Sequence, residues 1–270
     1  MSEVIKLYRL FNLLSLDVAV GAVIGSLFFA KIFEVAPSVP SLISLGLTVW
    51  IIYTIDRLLD IRDVMGEAAS ERHRFHQRYQ TKLVLWLVMI MIIDFGLIFF
   101  IPATILKHGI ALALVVAMYL LFRKRLHISK ELLVAILYTT GVLLPVWPSS
   151  NRSADNFLFI LLFFLIALLN LIVFSWFEKK NDIKDNQTSV ATITDEKSIR
   201  SVLIGLFFIT FSVCSFLTLQ RAYYFVALIF FVMTVILLSI FLFKGFFFRN
   251  EFYRMAGDGI FFLPLIYIVS

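Results

Sequence analysis

Nine runs of apolar residues dominate the chain, at about 8–31, 39–57, 82–105, 108–122, 131–148, 156–177, 199–219, 222–243 and 257–269. A helix needs roughly 20 apolar residues to cross a hydrocarbon core about 30 Å thick, because it rises about 1.5 Å per residue. Most of the runs approach or reach that length, and they are solidly apolar instead of alternating every second residue. Helices are therefore expected, and a barrel is not. Composition agrees, since 61% of the 270 residues are hydrophobic and only 16% are charged. The predicted fold is all-α: a polytopic membrane helix bundle of nine transmembrane helices forming a single membrane domain over 1–270. The first run is too long for a removable signal peptide and is kept as a span. The one cysteine, Cys214, excludes an intramolecular disulfide.

Basic residues set the expected orientation. With the amino terminus and the loops after even-numbered spans on one side, that side holds all of the 24 Lys and Arg residues except Lys31, Lys107, Arg152 and Arg221. So large a bias predicts a cytoplasmic amino terminus and an outside carboxyl terminus, and the expected setting is a bacterial inner (cell) membrane. The net charge of +6 is confined to loops. The expected partners are therefore anionic headgroups or phosphorylated substrates, with no nucleic acid. The loops after spans two and six are the longest on that side, which makes them the first places to look for function.

Those loops begin with the same pattern. IYTIDRLLDIRD places Asp56, Asp60 and Asp63 at i, i+4 and i+7, and FSWFEKKNDIKD repeats the spacing with Glu178, Asp182 and Asp185. The match reads as an internal duplication relating spans 1–4 to spans 5–8. On a helix each set stacks on one face and offers hard oxygen ligands to a divalent cation. Magnesium takes one or two carboxylates and fills its other positions with water and substrate phosphate, so two facing clusters imply a diphosphate between them. Arg57, Arg72, Arg74, Arg78, Lys124 and Lys130 are placed to neutralise it. The plainer alternative is two solvated helix ends of mixed charge, with Arg57, Arg62, Lys179, Lys180 and Lys184 relieving the repulsion.

On these motifs the sequence resembles the UbiA-type intramembrane prenyltransferases, which have nine helices and an aspartate-rich motif at the cytoplasmic end of helices two and six. Asp56 and Asp60 fall on the last two aspartates of the family's Asn-Asp-x-x-Asp-x-x-x-Asp pattern, with Ile52 and Tyr53 in place of its leading Asn-Asp. Glu178 and Asp182 match Asp-x-x-x-Asp, with Glu in the first place. Tyr119 through Arg123, followed by Lys124, is similar to the family's Tyr-x-x-x-Lys element. The resemblance implies a cytoplasmic-side cavity and magnesium held by Asp56, Asp60, Glu178 and Asp182, with Asp63 and Asp185 as substitutes one turn further out. It also implies transfer of a prenyl group from a prenyl diphosphate donor to an aromatic or other hydrophobic lipid acceptor. The missing Asn-Asp keeps a second function open, a lipid-binding or scaffold protein without catalysis. A transporter is a third reading, disfavoured because both clusters lie at the membrane edge rather than its midplane.

Polar residues within the runs are expected to face inward. Asp17 and Asn170 are candidates for the same cavity as Tyr119, Asp17 alternatively as a buried carboxyl locking helices together, and Asp94 is expected to be structural. His73 and His76 are spaced for a metal but lack a second pair of soft ligands, so an interfacial loop helix carrying Phe75 and Tyr79 is the better reading.

Overall fold

A computed structural model describes residues 3–64, 66–123, 130–149, 154–220 and 223–270. Its helices, in chain order, are α1 (Glu3–Leu13), α2 (Leu16–Ile32), α3 (Val39–Asp60), α4 (Glu71–Leu97), α5 (Ala103–Phe122), α6 (Lys130–Leu143) and α7 (Ala154–Lys184). After these come α8 (Val190–Ile193), α9 (Glu196–Leu219), α10 (Tyr224–Leu242), α11 (Lys244–Phe247), α12 (Phe252–Gly259) and α13 (Leu265–Val269). Among the described residues there are no strands, so the all-α expectation holds. Seven helical segments among them are long and apolar enough to cross a membrane, or eight if the bent pair α1 and α2 counts as one span.

Two of the predicted spans differ from the expectation. The first is not continuous: α1 and α2 meet at 83° around Ser15, whose φ of 55° lies in the left-handed region. A helix end leaves carbonyls without partners, and here Trp50 Nε1 donates to the Leu14 carbonyl at 2.9 Å while Asp17 Oδ1 accepts from the Val18 amide at the start of α2. The fifth run, predicted over 131–148, contains only the 14-residue α6, about 21 Å long, before the chain turns.

The expected interfacial loop helix also takes another form. Ser70 caps α4 by accepting from the His73 amide, and α4 then runs without interruption of the chain from Glu71 into the apolar segment, with non-helical angles at Tyr79. His73 and His76 are buried, so this is the foot of a spanning helix.

The core gathers on α7. Phe159, Leu162, Phe163, Ile166, Leu169 and Val173 are almost fully buried, and α6, α9, α10 and α12 pack against that helix. By contrast, α4 and α5 expose Leu85, Ile92, Phe95, Leu114 and Leu121. Exposed apolar faces of this extent suit a lipid surround. The consequence for function is positional: α3 and α7 end, and α4 and α6 begin, at one end of the bundle.

Candidate functional site

Residues four apart share a helix face, so Asp56 and Asp60 leave α3 together, as Glu178 and Asp182 leave α7. All four line one pocket of about 150 Å³, with Arg57, Arg72, Lys130 and Tyr119. The two carboxylate clusters read from the sequence thus share a single pocket. Tyr53, Glu131 and Arg254 border it as well. The segment after α7 folds back across it, where Gln187 Nε2 donates to the Asp60 carbonyl at 3.0 Å and the Val190 amide donates to Glu131 at 2.8 Å.

Opposite charges pair within the pocket. Arg123 makes a close ion pair with Asp60 and lies 3.6 Å from Asp56, and Arg57 Nη1 is 3.5 Å from the other Asp60 oxygen. On the α7 side, Arg254 Nη2 is 2.9 Å from Glu178, whose carboxylate also accepts from the Tyr253 hydroxyl at 3.4 Å. Arg72 is the exception. Its side chain is only 4% exposed and stands 3.9 Å from Asp258, yet its Nε and Nη2 have no hydrogen-bond acceptor. Arg57 Nε and Asp56 Oδ1 also lack hydrogen-bond partners, the latter standing 3.6 Å from Arg123. Buried donors without acceptors are costly, and Arg57, Arg72 and Lys130 together give the pocket a cationic lining that suits an anionic ligand.

Other predicted site residues lie elsewhere. Asp185 accepts from the Ala69 amide at 2.7 Å and pairs with His73 Nδ1 at 2.8 Å, so it ties the end of α7 to the start of α4. Arg74 donates to the Ala68 and Ala69 carbonyls and braces the same turn. Lys124 and the side chain of Asp63 fall outside the described residues. Asp17 and Asn170 do not border the charged pocket. They join a second buried cluster, in which Asn12 Nδ2 donates to both Asp17 and Asp258 and Asn170 Nδ2 donates to Asp258 at 3.4 Å. That cluster locks α1, α2, α7 and α12 together.

Sequence reasoning missed Arg254 and Asp258 as site residues because the last apolar run reads as a short anchor. Their signal was an Arg and an Asp one turn apart at the entry of that run.

The arrangement does not fit a preformed magnesium site. Among the described residues no group of three or more His, Cys, Asp or Glu side chains is placed to hold a metal ion. Asp60 and Glu178, both expected as ligands, are engaged by Arg123 and Arg254. His76 Nδ1 donates to the Arg72 carbonyl at 2.9 Å, and His73 Nδ1 pairs with Asp185. What the pocket offers is a lining rich in Arg and Lys, which suits phosphate oxygens.

Models of known protein families, curated proteins and solved structures give no match to the chain.

A second cavity, about 430 Å³ and mostly apolar, runs between α3, α4, α5 and α6. Ile52, Tyr53, Tyr119 and Val134 border both spaces, so the charged pocket and the apolar cavity share a wall.

Proposed function

We propose that this protein is a membrane prenyltransferase that binds a prenyl diphosphate with its head in the charged pocket and its tail in the apolar cavity, and transfers the prenyl group to a hydrophobic acceptor. The observation that carries this reading is the shared wall of Ile52, Tyr53, Tyr119 and Val134. It sets the two spaces side by side, so that an amphiphile whose tail passes these side chains would fill both, whereas either space alone would suit many ligands.

The chemistry follows from the charges present. Ionisation breaks the allylic C–O bond, and the electron pair leaves with the diphosphate. Arg72, Arg57 and Lys130 stabilise the growing negative charge, an effect largest in the transition state. The rings of Tyr53 and Tyr119 stand at the junction where the allylic cation forms and can stabilise it through their faces. The acceptor then forms the new bond to carbon and gives up its proton to the released diphosphate. The proposed setting is nine crossings of a bacterial inner membrane with the charged pocket on the cytoplasmic side.

A specific observation favours a second reading, a lipid-binding protein without transfer. The pairing of Asp60 with Arg123 and of Glu178 with Arg254 leaves fewer free carboxylates than a metal-assisted enzyme would use.

One assay separates the two. Purified protein is incubated with a panel of prenyl diphosphates together with aromatic and lipid acceptors, with and without added magnesium, and both bound ligand and released diphosphate are measured. Release that falls about tenfold or more in Arg72→Met, the loss expected for charge-assisted hydrogen bonds, supports the transferase. Saturable binding without release supports the second reading, and the absence of binding rejects both.

A further inference from the structure

One cluster of cations lies apart from the charged pocket. Glu178 and Asp182 line that pocket from α7, and helix residues two positions away leave on the opposite side, about 200° round the axis. Trp176 and Lys180 therefore share the far face of α7. Lys244, which opens α11 directly after α10, reaches that face, with its Nζ over the Trp176 ring at 3.6 Å from the ring centre. Partial burial pushes the pKa of this ammonium down. The nearby charges of Lys180, Arg200 and Lys179 push it the same way, against the opposite pull of Glu196. Arg200 comes from the first turns of α9, which packs against both α7 and α10.

Three of these cations are unengaged by acids. Lys179 donates to the Thr194 carbonyl at 3.0 Å, and Asp195 is occupied as the cap of α9. The ion pairs of Arg254 with Glu178 and Glu251 leave Lys180, Arg200 and Lys244 aside. Lys180 and Arg200 are exposed, as are the apolar Val202, Leu242 and Phe243 close to them in the chain. Like charges drawn together repel. Orientation across a membrane requires basic residues on one side, but not their convergence from three parts of the chain.

We propose that this face binds the headgroup of an anionic phospholipid, with its phosphate held by Lys180, Arg200 and Lys244 and its acyl chains along the exposed apolar side chains of α9 and α10. Charge complementarity selects the anion, and the adjoining apolar surface selects an amphiphile over a soluble phosphate. The Trp176 ring already restrains Lys244, so less side-chain freedom is lost on binding. The site does not depend on what the charged pocket holds, because that pocket lies on the other side of α7.

The test uses the full chain in uncharged detergent micelles. Dioleoyl phosphatidylglycerol and dioleoyl phosphatidylcholine compete at equal mole fraction, and bound lipid is counted by native mass spectrometry. The wild type is expected to prefer the anionic lipid. One basic group near an anionic lipid surface changes binding about fivefold, so Lys180→Gln, Arg200→Gln and Lys244→Gln are each expected to lower the preference by about that factor. Lys244→Arg keeps the charge and the ring contact and is expected to keep the preference. Lys82→Gln removes an exposed charge from α4, which packs on α3, and is expected to change nothing. A wild type without preference overturns the site, as does an equal fall in Lys82→Gln and Lys180→Gln, which means diffuse attraction. A loss in Lys244→Arg as large as in Lys244→Gln also overturns it. Displacement of the bound lipid by an equal concentration of glycerol 3-phosphate overturns the lipid assignment, since the phosphate alone would then suffice.

Discussion

At the scale of single residues, the close approach of α12 to α7 depends on Gly257. A β-carbon added there would lie 2.5 Å from Asn170 Oδ1 and 2.5 Å from the Phe174 ring, well inside contact distance. Gly257→Ala is expected to destabilise the protein by about 1–3 kcal/mol, the usual range for overpacking. Thermal unfolding in detergent should show a lower midpoint than wild type. Gly205→Ala, whose β-carbon would meet nothing within 4 Å, serves as the control and should leave the midpoint unchanged or raise it. The same contact explains which residues sequence could reveal. Asp56, Asp60, Glu178 and Asp182 were legible because a four-residue spacing puts side chains on one helix face. The commitment of Asp185 to the Ala69 amide and His73 was not, because it joins positions more than a hundred residues apart. Asn170 was legible only as an inward-facing polar residue; its partner Asp258 is set by the tight Gly257 crossing.

At the scale of elements, hydrophobic length located the helices but not their interruptions. A run of apolar residues over 8–31 looks continuous because it contains no proline and no long polar stretch. The break at Ser15 is stabilised from outside the run by Trp50 of α3 reaching the Leu14 carbonyl and by Asp258 of α12 accepting from Asn12, and within the run by the bond from Asn12 to Asp17. Trp50→Phe keeps an aromatic ring in a buried position but removes the donor, leaving a backbone carbonyl unpaired. It is expected to cost about 1–3 kcal/mol, read as a lower unfolding midpoint in the same detergent. An unchanged midpoint would mean that the bend is held by the Asn12 cluster alone. The failure at α6 has a different origin. Its apolar residues continue past Leu143, but Pro145 lacks the amide hydrogen that an α-helix needs and restricts the residue before it. Pattern reading measured apolar length there, while backbone hydrogen bonding set the helix length.

At the scale of the whole molecule, two contacts fix the relation of the chain ends. Arg9 of α1 pairs with Glu71 at the start of α4, beside the charged pocket. Lys31 at the end of α2 donates to the Tyr267 carbonyl of α13 at 2.7 Å, at the end from which α3 departs. The described chain therefore begins at one end of the bundle and finishes at the other, which requires an odd number of passes. The short α6 decides that number. Lys130 at its start borders the charged pocket, whereas Gly141, Leu144 and Pro145 border the far cavity with Ser41 and Ile101. The segment thus traverses the bundle although its helical part covers only about 21 Å, and a bilayer accommodates such a deficit by local thinning. The nine passes proposed above, with the basic ends of the helices facing the cytoplasm, would put the two termini on opposite sides. Cys214 is fully buried, which leaves a quiet background for labelling single cysteines at the ends. In intact cells a membrane-impermeant maleimide is expected to label Ser270→Cys and to reach Glu3→Cys only after permeabilisation. Labelling of both sites in intact cells, or of neither, would mean an even number of crossings, with α6 failing to cross. The reverse pattern would put the charged pocket, and any diphosphate it binds, outside the cell.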